Sequence, residues 1–125
     1  YVTYHRMQTF QPVINHMHIE FHTPHNAVRE WLITHIRDQL IQMHQRDPDI
    51  SRAEVYLTEQ SAGETVDKLC EIQLTIFGES IFVRRKAETF EQASRDALTE
   101  LTEKVQERIR RHNEPPDEIT STVQV

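Results

Sequence analysis

Apolar residues recur every three to four positions at Val28, Trp31, Leu32, Ile36, Leu40 and Met43, the spacing of one buried helical face. Upstream, Thr23-Pro24 reads as a start signal, a capping hydroxyl followed by proline at the first helical position. Downstream, Asp47-Pro48-Asp49 stops the helix and turns the chain. The pattern predicts a helix from about Pro24 to His44, with Trp31 on its apolar stripe and therefore in the core. The period then shortens to two. Ala53, Val55 and Leu57 alternate with Glu54, Tyr56 and Thr58, and Cys70, Ile72, Leu74 and Ile76 alternate with Glu71, Gln73 and Thr75. Both runs predict strands with one wet face. A polar connection, Gln60–Thr65, joins them around Gly63, and Gly78-Glu79-Ser80 turns the chain into a further strand, Ile81–Ala87. Near the start, Gln11–Asn15, continued by His18–Phe21, reads as the first strand, with Pro12 marking a strand start or an edge. Helical spacing returns in Phe90, Ala93, Ala97, Leu101, Val105 and Ile109, introduced by the capping-box form Thr89-Phe90-Glu91-Gln92 and running to about Arg111.

The order is β-α-β-β-β-α. The simplest way to hide one apolar sheet face with two amphipathic helices is an α+β domain, a four-stranded sheet with two long helices packed side by side on one face. The domain is expected over residues 11–112, after an N-terminal extension of residues 1–10 in which Met7 is a candidate start. Asn113-Glu114-Pro115-Pro116 cannot continue a helix, so residues 113–125 are expected to form a mobile acidic tail.

Composition changes this picture in two ways. A net charge of −6 argues against a generic nucleic-acid binder, but the charge is unevenly placed. Residues 1–79 hold six Lys/Arg against eleven Asp/Glu, residues 80–112 hold eight against six, and residues 113–125 hold none against three. The last strand and second helix are thus the net-basic region, with Arg84, Arg85 and Lys86 at one end and Arg108, Arg110, Arg111 and His112 at the other. Cations at a helix end also complement the macrodipole. The single cysteine, Cys70, excludes an internal disulfide and suits a reducing, cytoplasmic setting as a small buried hydrophobe. No apolar run of about 18 residues predicts a membrane span, and no signal peptide is expected from Tyr1–Phe10.

Three stretches resemble the ribosome hibernation promoting factors, the family that includes the ribosome-associated inhibitor called protein Y and members once labelled sigma-factor modulation proteins. They are Ile19-Glu20-Phe21 with Thr23-Pro24 and Ala27-Val28-Arg29; Ile50-Ser51-Arg52-Ala53-Glu54-Val55-Tyr56-Leu57; and Phe82–Arg111 with its step Glu88-Thr89-Phe90. The likeness covers about Gln11 to His112. It implies a translation inhibitor that docks at the decoding region of the small ribosomal subunit and contacts rRNA backbone through basic side chains. The matching positions are Arg29 and Arg37 on the first helix, Arg84 and Lys86 on the last strand, and Lys104, Arg108 and Arg111 on the second helix. Arg85 joins this set and Arg110 adjoins it, although strand and helix periodicity can aim both elsewhere. Their gathering into one electropositive patch is the expectation on which docking rests. The resemblance implies no cofactor, no membrane, no small-molecule substrate and a monomer. Glu30, Asp38, Glu100, Glu103 and Glu107 interrupt the basic run that many members carry, so the alternative is a protein-interaction regulatory module of the same fold with weak or no RNA affinity.

Two other chemistries, metal binding and catalysis, have little support in the chain. His16, His18, His22 and His25 cluster near the first strand, but no HExxH or finger spacing accompanies them, so surface histidines and no metal site are expected. An enzyme is not expected: Gly63 and Gly78 are the only glycines, which leaves no phosphate loop, and the strand carboxylates Glu20, Glu54, Glu59 and Glu71 fall mostly on the solvated side by alternation.

Overall fold

The computed structural model describes residues 2–3, 17–24 and 28–113. The expected strand over Gln11–Asn15 and most of the acidic tail lie outside the described residues. Strands β1 (Val2–Thr3), β2 (His18–His22), β3 (Ile50–Ala62), β4 (Thr65–Ile76) and β5 (Glu79–Ala87) accompany helices α1 (Glu30–Arg46) and α2 (Phe90–Asn113). They form one sheet in the order β1-β2-β3-β4-β5. The α+β order read from the pattern holds, and the sheet gains one short strand, β1, antiparallel to β2.

β2 pairs with β3 in parallel, and β3-β4-β5 is an antiparallel meander. Parallel neighbours need a crossover connection, and α1 provides it. The meander returns the chain at β5 to the direction of β3, so α2 runs the same way as α1. The contacts agree. Val28, Arg29 and Leu32 at the start of α1 lie beside Glu88–Glu91 at the start of α2, and Asp47, just past α1, meets Arg108 near the end of α2.

Alternation delivers the core. Ile19 and Phe21, Ala53, Val55 and Leu57, Cys70, Ile72, Leu74 and Ile76, and Val83 all point toward the helices. Ala93, Ala97, Leu101 and Val105 of α2 and Leu32, Ile33, Ile36, Leu40 and Met43 of α1 meet them. Fully buried Cys70 has its thiol pushed up to about 12 by loss of solvation, with the Ser94 hydroxyl pulling the other way. It is the inert hydrophobe that its position in the pattern suggests.

The start of α1 corrects the sequence reading. The helix begins at Glu30, not Pro24, and Arg29 is its N-cap in extended backbone with no side-chain cap. The Arg29 carbonyl accepts from the amides of Leu32 at 3.0 Å and Ile33 at 3.4 Å. The buried stripe includes Ile33, which centres it away from Trp31 by about 150° at ~100° per residue. Trp31 is accordingly 53% exposed, not core. At α2, half of the capping box forms. The Gln92 amide donates to Thr89 Oγ1 at 3.1 Å, but the Gln92 side chain donates forward to Asp96 at 2.8 Å instead of back to Thr89. The β3–β4 connection is also tighter than expected. Pairing continues to Ala62 opposite Thr65, which leaves Gly63-Glu64 as the loop, with Gly63 at φ +66° where an L side chain would be strained.

Among the described residues one ion pair, Arg108 with Asp47, lies inside this fold. Arg108 is 4% exposed; its Nη1 donates to Asp47 Oδ2 at 2.6 Å and its Nε to Glu79 Oε2 at 2.6 Å, with Asp49 3.6 Å from Nη2. Burial opposes the guanidinium charge, but hydrogen bonds to Glu79 and Asp47 outweigh it and raise the pKa above the ordinary value. The same bond from Arg108 lowers the Glu79 pKa below its ordinary 4.5. Removing one partner of a buried pair strands the other charge, so Arg108→Ala should cost about 3–5 kcal/mol in urea denaturation. A loss under about 1 kcal/mol would mean the cage behaves as a surface pair. Because the folded pKa of Glu79 is depressed, its contribution is complete above the unfolded value and disappears as pH falls through the folded value. Stability measured from pH 6 to pH 3 should therefore fall less steeply in Glu79→Gln than in the parent. Cys70 should stay unreactive toward a thiol reagent at pH 8 until denaturant is added; labelling of the folded chain would contradict its burial.

Candidate nucleic-acid interface

Helix and strand geometry divides the expected cations among three places. The first is the interior, which holds Arg108. Asp47 is 5% exposed and needs a counter-charge, so this arginine serves the fold and has no surface to offer a phosphate.

The second is the sheet face away from the helices. In β5, Ile81, Val83 and Ala87 pack toward the core, so alternation sends Phe82, Arg84 and Lys86 to the opposite side. Arg84 lies opposite Glu71 on β4 and donates Nε to its Oε2 at 2.9 Å, while Lys86 Nζ stands 3.9 Å from Asp67. The third is the helix side. Arg85 turns there and reaches Glu100 of α2 at 3.4 Å. Lys104 meets the same Glu100 at 3.5 Å, and Arg111 meets Glu107 at 3.7 Å. Arg110 also pairs with Glu107. Arg37, half-buried on α1, lies 3.1 Å from Asp38, and Arg29 is exposed at the cap of α1.

The single ridge is thus not formed. Period-two alternation separates Arg84 and Lys86 from the helix cations by the thickness of the sheet, and burial withdraws Arg108. The acidic stripe Glu100, Glu103, Glu107 lines a groove between α2 and the outer strand β5, together with Lys104, Arg111, Ile81 and Phe82. Two of its members neutralise the neighbouring cations. These pairs are solvent-exposed and worth about 0–1 kcal/mol each, so a stronger anion can displace the carboxylates.

Among the described residues, Arg29, Arg46 and Arg95 are the Lys/Arg side chains with no carboxylate within 4.0 Å. Arg95 was missed by the sequence reading. It lines the shallow groove between the helices with His35, Gln39, Thr99, Thr102 and Glu103. Spacing alone would have mispaired it, since Glu91 precedes it by four residues, as Glu100 precedes Lys104. The exposed Trp31, two residues after Arg29, is the other omission, hidden by its apparent place on the apolar stripe. An arginine without a carboxylate partner can hold a phosphate, and an exposed indole can stack on a base.

The overall architecture is similar to two solved structures. The N-terminal domain of Thermus thermophilus Protein Y matches at 18% identity and a TM-score of 0.55, over 69% of this chain and 91% of that one. A ribosomal subunit interface protein from Coxiella burnetii matches at 10% identity and a TM-score of 0.60, over 74% of this chain and 97% of that one. No family model and no curated protein matches the sequence. At such identities the likeness is one of fold, and it agrees with the resemblance carried by the three sequence stretches.

If Glu100 and Glu107 mask the α2 cations, Glu100→Gln with Glu107→Gln should release Arg85, Lys104, Arg110 and Arg111. The double variant should elute from heparin at distinctly higher salt than its two-unit charge change produces when placed instead at Glu64 and Glu88. Equal shifts in the two double variants would show that masking is absent and net charge alone governs retention.

Proposed function

We propose that this chain is a hibernation-type factor that binds the small ribosomal subunit at the decoding region, contacts rRNA backbone and inhibits translation in the cytoplasm as a monomer. The observation that carries the reading is the fold shared with protein Y and with a protein named for the ribosomal subunit interface. The reading is one of binding without catalysis. No helix among the described residues is long and apolar enough to cross a membrane.

The contact surface in this reading is the helix layer. Arg29, Arg37, Lys104 and Arg111 from the expected set act with Arg95, and Trp31 supplies a stacking plane. Arg85 contributes from the strand edge. Arg84 and Lys86 face the other way and are secondary, and Arg108 is excluded by its burial. Preformed helices lose little conformational entropy on docking, and arginine offers a planar fork matched to phosphate. Structured RNA is read by shape and backbone more than by base edges. The partner's phosphates replace Glu100 and Glu107 as counterions, which makes binding an exchange of weak surface pairs for stronger ones.

A second reading, a protein-interaction module of the same fold, is favoured by two exposed aromatic side chains, Phe77 at 83% and Phe82 at 49%, the latter lining the acidic groove. Co-sedimentation with purified small subunits separates the two. Binding at low salt that weakens as salt rises, and a slope reduced by about 2 (roughly 0.7 per lost phosphate contact) in Arg29→Ala/Arg95→Ala/Lys104→Ala, supports the first. Absence of co-sedimentation at low salt rejects it, and an unchanged slope in the triple variant rejects this surface.

A further inference from the structure

The sheet face away from the helices carries a second constellation that RNA docking does not use. On β2, alternation puts His18, Glu20 and His22 on that face, while Ile19 and Phe21 enter the core. Parallel pairing sets them against β3 in register, with His18 opposite Arg52, Glu20 opposite Glu54 and His22 opposite Tyr56. Two carboxylates therefore oppose each other directly on neighbouring strands, an arrangement that costs stability unless a cation joins them. Both are well covered, at 15% and 24% side-chain exposure. Arg52 supplies one positive charge, 3.1 Å from Glu20 and 3.0 Å from Glu54. With the histidines neutral, one negative charge remains uncompensated.

The imidazoles are placed to answer it. His18 Nε2 lies 2.9 Å from Glu20 Oε2, and since a carboxylate only accepts, that nitrogen carries the proton and donates. The bond fixes the Glu20 carboxylate with Oε1 turned toward His22, whose Nε2 is 3.7 Å away. The His22 ring lies nearly parallel to Tyr56, 4.5 Å between centroids with 9° between planes, which sets its orientation. Donor atoms of Glu20, His22 and Glu54 all fall within 4.8 Å of one another.

We propose that Glu20, His22 and Glu54 form a zinc site in which His18 positions Glu20 and Arg52 is the competitor that the metal displaces. Zinc takes imidazole nitrogen and carboxylate oxygen at about 2.0–2.2 Å in a tetrahedron, with donors about 3.4 Å apart. Small rotations of side chains on two fixed strands close the present spacing to that value. Calcium wants six to eight oxygens and magnesium an octahedron of oxygens and water, neither of which three residues with one nitrogen provide. A hydrogen bond from a neighbouring group to a ligating carboxylate, as from His18, is the usual support of such sites. Arg52 is 40% exposed at its side chain, so it has solvent to move into. The guanidinium and the metal are alternative counter-charges for the same two carboxylates.

The test uses the full, untagged chain, with zinc chloride titrated into a thermal denaturation and cobalt(II) as a spectroscopic probe. Zinc at a hundredfold excess over Kd should raise the midpoint by at least about 5 °C, and cobalt should give the visible absorption of a tetrahedral site. His22→Ala and Glu20→Gln should each lose more than tenfold in zinc affinity. Arg52→Ala should gain affinity, because the competitor is gone. Circular dichroism of each metal-free variant establishes that it is folded. No midpoint shift in the parent overturns the proposal. Retained zinc affinity in folded His22→Ala overturns it too, by placing the metal on other histidines. Weakened binding in Arg52→Ala would likewise sink it.

Discussion

The buried Arg108 cage is the interaction on which the architecture depends. It binds the end of α1, the start of β5 and the last turns of α2 to one another by charge. Apolar packing is non-directional, and helices on a sheet could slide against it by a turn with modest loss. A guanidinium held by Asp47 and Glu79 at 2.6 Å each cannot slide. It fixes the relative height of the two helices, and with it the groove in which Arg95, His35 and Gln39 meet.

That role explains where the sequence was readable and where it was not. Periodicity identified β2 to β5 and both helices, but not the short β1, because period two and period 3.6 follow from backbone geometry alone and two residues show no period. It also placed Ala53, Val55, Leu57, Ile72 and Leu74 in the core correctly. Trp31 failed because spacings of three and four were counted without their angles: at ~100° per residue Leu32, Ile36, Leu40 and Met43 already centre the stripe about 135° from Trp31, and Ile33 moves it further. The start of α1 failed because Thr23-Pro24 is a strong local signal that tertiary structure did not use. Arg108 failed for a different reason. An arginine near the end of a basic helix is locally indistinguishable from its neighbours, and the carboxylate that claims it lies 61 residues away in the chain. The expected convergence of cations fails partly on the same ground, since a linear charge count carries no information about which layer a residue enters. What could be read from spacing was the neutralisation of Lys104, Arg110 and Arg111, each three or four residues after a glutamate.

The surface that results is one of masked charge. Among the described residues most Lys/Arg side chains lie within 4.0 Å of a carboxylate, which keeps them from acting as a generic polyanion trap. Such masking favours targets whose phosphates are fixed in space, because several weak pairs must be exchanged together for docking to gain.

The shared direction of α1 and α2 has a further physical effect. Antiparallel helices cancel one another's macrodipoles, whereas these two add. The side chains oppose that sum at both ends: Glu30 and Glu91 stand in the first turns, while Arg46, Arg110 and Arg111 stand in the last. Two aligned dipoles thus meet their counter-charges within one turn of each helix end, and little of the summed field is left to act at a distance.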